Sequence, residues 1–154
     1  MYGAATGKPY SYRNDQGVPV FPDDHPIFIF DGHCALCSGW ARFILRHDHR
    51  QRFRLLPAQT PLGQALFRHY GLNPVSYETA ILLADGVAWL QSEGAIRVAE
   101  GLGPPWSWLG ALRLLPLPWR DAAYRWIARN RFRVFGRRQR CYRAEPGQEH
   151  RFLA

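Results

Sequence analysis

Cys34 and Cys37 stand two residues apart in the run Phe28-Ile29-Phe30-Asp31-Gly32-His33-Cys34-Ala35-Leu36-Cys37. Two cysteines at this spacing, where an apolar strand passes through a turn into a helix, can close a small disulfide and reopen it. That is redox chemistry more readily than structural stapling. The chain has three cysteines, too few and odd in number for a disulfide scaffold. A thiol at a helix N-terminus meets backbone N–H groups and the positive end of the helix dipole, and both favour the thiolate. Such thiols titrate at about 3.5–7.5 against about 8.5 when free. Cys34 is therefore expected to be the more exposed and more acidic thiol, the attacking nucleophile. Cys37, one turn further in, is expected to resolve the mixed disulfide. The plainer alternative is a pair of reduced core cysteines with no turnover.

The neighbouring residues have two readings each. A protonated His33 favours the thiolate beside it and can carry a proton; an exposed turn histidine does neither. Asp31 can accept a proton from Cys37, or it can simply order the turn, since Asp-Gly is good turn chemistry. Cys141, in an arginine-rich stretch, is either a third exchanging thiol or a small buried hydrophobe. A metal site is the rival chemistry, with Cys34, Cys37, His47, His49 and Cys141 as zinc-type ligands. There is no second Cys-x-x-Cys, and His47 and His49 point different ways on a helix. Neither a metal nor a bound cofactor is expected.

Several elements must position this pair. Ile27 to Phe30 is wholly apolar, as in a buried parallel strand. Cys34 to about His49 has helical periodicity, with Trp40, Phe43, Ile44 and His47 on one face. Phe53 to Leu56 reads as a second strand stopped by Pro57, and Pro61 to Tyr70 as a helix ended by Gly71. Thr79 to Ala84 and Val87 to Leu90 flank Asp85-Gly86, a type I′ hairpin. Ser92-Glu93-Gly94-Ala95 opens another helix reaching Gly101. The order β-α-β-α-β-β-α predicts an α/β fold of thioredoxin-like plan, with the cysteines at the end of the first strand.

Residues 1–25, broken by glycine and proline, read as a leader, flexible or draped on the domain through Tyr10, Tyr12 and Phe21. The core is expected over 26–103. A Trp/Arg-rich helical extension, 104–143, should pack on it, with Trp106, Leu109, Leu112 and Leu115 on one face and Ala122, Ala123, Trp126 and Ile127 buried. Trp108 and Trp119 are expected to be buried as well. Residues 144–154 form a tail.

Composition bounds the rest. The chain has 154 residues, 47% hydrophobic and 14% aromatic, enough for one domain with a real core. No apolar run reaches the ~18 residues of a membrane span, and the N-terminus lacks the apolar core of a signal peptide. A cytoplasmic location is the expectation. The net charge is +8, and Lys8 is the only lysine among 20 basic residues. Residues 125–143 hold eight arginines. They can bind nucleic acid or anionic lipid, but a solvated face is the plainer reading, and nucleic acid is not an expected partner.

The segment Asp31-Gly32-His33-Cys34-Ala35-Leu36-Cys37 resembles the motif of the DCC family, named for Asp-x-x-Cys-x-x-Cys. The resemblance continues through Phe53-Arg54-Leu55-Leu56-Pro57, Ser92-Glu93-Gly94-Ala95-Ile96, Leu112-Arg113-Leu114-Leu115-Pro116, Asn130-Arg131-Phe132 and Phe135-Gly136-Arg137-Arg138, over roughly residues 26–143. It implies a thioredoxin-like thiol-disulfide oxidoreductase. The partners are then a disulfide-containing protein or small molecule and an external dithiol reductant. The alternative is a noncatalytic thioredoxin-like binding module that docks a protein or polyanion through its C-terminal extension. Better-known thioredoxin relatives place a cis-proline before the third core strand. Here Glu78-Thr79 holds that place, and a non-proline cis bond costs roughly 2.5–4 kcal/mol, so a trans bond is expected.

Overall fold

The computed structural model describes residues 9–72, 80–136 and 146–153. Glu78, Thr79, Cys141 and the arginines at 137, 138, 140 and 143 lie outside the described residues, and so do the expectations placed on them.

Strand β1, Ile27–Phe30, lies inside a four-stranded mixed sheet. Strand β2, Arg54–Pro57, runs parallel to it on one side, with Ile27 opposite Arg54 and Phe30 opposite Pro57. Strand β3, Ile81–Ala84, runs antiparallel on the other, and β4, Val87–Leu90, pairs antiparallel with β3. Every residue of β1 is buried because helices cover both faces. Side chains alternate across a strand. Ile27 and Ile29 accordingly join Leu56, Ile81 and Leu83 with Ala65, Leu66 and Phe67 of helix α2, Pro61–His69. Phe28 and Phe30 join Leu55 and Leu82 with Ala41 and Ile44 of helix α1, Ala35–His47, and Val98 of helix α3, Gln91–Gly101. This is the thioredoxin-like α/β plan.

Local chemistry fixes the joints. Asp85 (φ 52°) and Gly86 (φ 77°) are both left-handed, as a type I′ turn requires. Thr60 caps α2 by accepting the Gly63 N–H at 3.1 Å, and Pro61 occupies the first turn. Gly63 lies against the β2–α2 loop: a Cβ there would come within 2.7 Å of the Pro57 carbonyl oxygen and 2.8 Å of Ala58. Because both neighbours are backbone, Gly63→Ala should destabilise the protein by about 1–3 kcal/mol. A urea midpoint equal to wild type would show that the loop yields freely.

Both terminal stretches meet the sheet. Tyr12 and Val18 are buried in the α2-side core, with Tyr10 and Phe21 packed against it. At the opposite edge Phe152 bridges Leu55 in parallel, and the Leu153 N–H donates to the Leu55 carbonyl at 3.1 Å.

The C-terminal extension departs from expectation in two ways. Trp106–Leu114 is a 3₁₀ helix. The three-residue spacing of Trp106, Leu109, Leu112 and Leu115 suits three residues per turn. Helix α4 spans Leu117–Val134, but Ala122, Ala123 and Trp126 face solvent, and Ile127 is not buried but borders a cavity against α1. Trp108 and Trp119 are exposed too, and of the four tryptophans only Trp106 packs inward, on Phe43 and His47 of α1. The residues that anchor its inward side are polar instead. Arg120 reaches Glu93, Asp121 accepts from the Ser92 hydroxyl, and the Tyr124 hydroxyl accepts the Ala80 N–H at 3.3 Å. Glu93 also pairs with Arg97 and with Arg113 of the 3₁₀ helix. Ion pairs, not an apolar stripe, orient this helix.

Candidate active site

Cys34 is the N-cap of α1 and has extended backbone. An N-cap side chain accepts a hydrogen bond from the N–H two or three residues on. Here the Cys37 N–H donates to Cys34 Sγ at 3.3 Å. The Cys-x-x-Cys spacing is thus the spacing from a helix cap to its third residue. The Cys37 thiol donates to the same sulfur.

These contacts split the two thiols. The Cys37 thiol bond pulls the Cys34 pKa down to about 6, against the opposing effect of burial. The Cys37 N–H, the Arg131 guanidinium and the Leu36 N–H add to the fall. The Cys37 pKa is pushed well above the ordinary thiol range by its bond to Cys34, by burial and by the charge on Cys34.

Exposure runs against the sequence expectation. Cys34 is fully covered, at 0% exposure, and Cys37 is the partly exposed thiol. Just beyond α4, Gly136 meets the start of α1, where its carbonyl accepts the Ala35 N–H at 3.4 Å. Cys37 looks instead into an apolar cavity of about 340 Å³ walled by Phe28, Leu36, Trp40, Tyr124 and Arg131.

Asp31 is 5% exposed and closes the turn before the helix. Its carboxylate accepts the His33 N–H at 2.9 Å and a hydrogen bond from Gln59 Nε2. It pairs with Arg131 Nη2 at 3.3 Å, and both side chains are buried. Gln59 also accepts the Gly32 N–H at 3.0 Å through its Oε1. One side chain from the β2–α2 loop therefore clasps both sides of the Asp-Gly turn. The Ser38 hydroxyl donates to the Gly32 carbonyl at 3.2 Å. His33 is partly exposed beside Cys34.

Gln59 and Arg131 belong to the site and were not singled out from the sequence. Neither sits in a local pattern: Gln59 arrives from the second crossover and Arg131 from α4. The signal for Arg131 was its place within the resembling segment Asn130-Arg131-Phe132. His47, at the far end of the 13-residue α1, lies roughly 15–20 Å along the helix axis from the cysteines and packs at a tilt against Phe43 and Trp106. Among the described residues, no three His, Cys, Asp or Glu side chains gather as metal ligands.

A dithiol capping the first helix of a thioredoxin-like sheet defines the class. A sequence model of the DCC1-like thiol-disulfide oxidoreductase family matches residues 28–137, and the chain belongs to that family. It is 32% identical over 127 residues to the uncharacterized protein YuxK of Bacillus subtilis, covering 82% of this chain and 93% of that one. It is 31% identical over 120 residues to a chloroplastic DCC family protein of Arabidopsis thaliana, covering 77% and 70%. No solved structure matches it. Among the described residues, no helix is long and apolar enough to cross a membrane.

Proposed function

We propose that the chain exchanges thiols and disulfides through Cys34 and Cys37. The Cys34 thiolate attacks one sulfur of a substrate disulfide. The substrate S–S bond breaks, and the leaving thiolate takes a proton. Cys37 then gives up its proton and attacks Cys34 Sγ, releasing the second substrate thiol and closing a Cys34–Cys37 disulfide. The substrate has gained two electrons, and an external dithiol returns them to the enzyme. The supporting observation is the doubly donated Cys34 sulfur at the helix cap.

The same contacts time the second step. While Cys34 is a thiolate, its bond and charge hold the Cys37 proton. Once Cys34 is in a mixed disulfide that charge is gone, and Cys37 is freed to ionise. Asp31 is assigned to positioning: it holds the turn and keeps Arg131 beside the cysteines. His33 is assigned to proton transfer at the rim, and His33→Ala should slow turnover only modestly. The apolar cavity beside Cys37 suits an uncharged group flanking the substrate disulfide.

The test separates the Cys37 donor from the Cys37 side chain. Cys37→Ser retains a donor to Cys34, and Cys37→Ala removes it. The midpoint of Cys34 alkylation against pH should lie near 6 in the serine variant and about one unit higher in the alanine variant, a tenfold change in acidity. Covering lowers the rate of alkylation but not its midpoint. Equal midpoints in both variants would remove the basis for assigning Cys34 as the nucleophile.

A further inference from the structure

The face that the 3₁₀ helix and α4 turn to solvent is apolar and cationic together. Leu114 is 90% exposed, Trp108 74%, Trp119 69% and Trp126 62%. Exposed apolar residues on this scale mark an interaction surface. The orientation is fixed from behind, because Arg120, Asp121, Tyr124 and Arg131 occupy the inward side of α4. Arg125, Arg129 and Arg133 are exposed on the same helix. Between residues 102 and 136 the only acid is Asp121, and it is buried.

We propose that this face docks on the surface of an anionic lipid bilayer. Tryptophan suits the boundary between headgroups and acyl chains, and leucine and valine suit the apolar side of it. The arginines of α4 meet lipid phosphates, and Glu100, the exposed carboxylate against the 3₁₀ helix, is paired with Arg113. A second copy of the chain fits less well. A two-fold interface places the same patch against itself, and here that would set arginine rows against each other with no acid to answer them. A nucleic acid would engage the arginines and tryptophans but leave Leu114, Leu115 and Val134 without a partner. The inward side of α4 carries Arg131 and walls the cavity beside Cys37. Docking thus holds the cysteines about one helix diameter, roughly 10–12 Å, from the lipid.

The test uses the full chain and reads binding alone, so it stands apart from turnover. The protein should float with vesicles containing phosphatidylglycerol, with a blue shift of tryptophan emission, and bind pure phosphatidylcholine vesicles far less. Each of Arg125→Gln, Arg129→Gln and Arg133→Gln should weaken partitioning roughly fivefold at low salt. Trp119→Ala with Trp126→Ala should weaken vesicle binding and reduce the blue shift, leaving Trp108 as the remaining reporter on the face, with circular dichroism unchanged, since both side chains are exposed. Equal binding to both vesicle types, or none to the anionic ones, would overturn the proposal. So would a dimer in light scattering that the double tryptophan variant dissolves, which would assign the face to self-association, or tighter binding to single-stranded DNA than to anionic vesicles.

Discussion

Arg151→Met should lower the unfolding free energy by about 3–5 kcal/mol, the usual cost of removing one partner from a buried ion pair. Arg151 is 1% exposed and Asp48 4%. The guanidinium pairs with Asp48 Oδ2 and donates to the Phe53 carbonyl, from Nε at 3.1 Å and from Nη2 at 3.0 Å. Asp48 also accepts the Arg52 and Phe53 N–H groups at 3.1 and 2.8 Å. This knot joins the end of α1, the start of β2 and the last residues of the chain. Methionine fills the space but strands the Asp48 carboxylate. Adding Asp48→Asn should recover part of the loss, because the remaining group is then neutral, although its single oxygen can accept only one of the two N–H groups. Urea denaturation of the single and double variants reads both effects. A single-variant loss below about 0.5 kcal/mol, the scatter of surface substitutions, would mean that the terminal segment is not anchored.

Cys34→Ser should abolish turnover with a disulfide substrate, and Cys37→Ser should convert the protein into a trap. In the second variant Cys34 still attacks, and the serine hydroxyl still donates to its sulfur, but nothing resolves the mixed disulfide. A covalent adduct that dithiothreitol releases should accumulate on Cys37→Ser and not on Cys34→Ser, as read by non-reducing electrophoresis and mass spectrometry. Adducts on Cys34→Ser alone would exchange the roles of the two thiols and would accord with the greater exposure of Cys37.

The core of the fold was legible because its signals are local. The four-residue apolar run of β1, the Asp-Gly turn and the proline-started α2 each state their geometry within a few residues. The cap position of Cys34 follows from the same local logic. Its full burial does not, because burial is set by the tertiary packing around the cap and not by the residues next to it. The inward face of α4 was missed for a related reason. Apolar periodicity assumes that the buried side of a helix is the apolar one. In α4 the ion pairs of Arg120 and Arg131 and the Ser92–Asp121 bond decide the orientation, leaving Trp119 and Trp126 outside. Asp31 shows the same limit: its turn role was readable from Asp-Gly, but its buried partner Arg131 comes from the far end of the chain.

The most direct measurement is a redox titration of the wild-type protein in graded glutathione buffers, quenched with acid and labelled at free thiols for mass spectrometry. A depressed Cys34 pKa stabilises the reduced pair and so makes its disulfide a stronger oxidant. The account predicts that Cys34 and Cys37 lose their labels together in one two-electron transition, closing the disulfide between them, at a potential between roughly −270 and −120 mV. Two thiols that stay labelled across that whole range, or a Cys34 that takes up glutathione while Cys37 remains free, would contradict it.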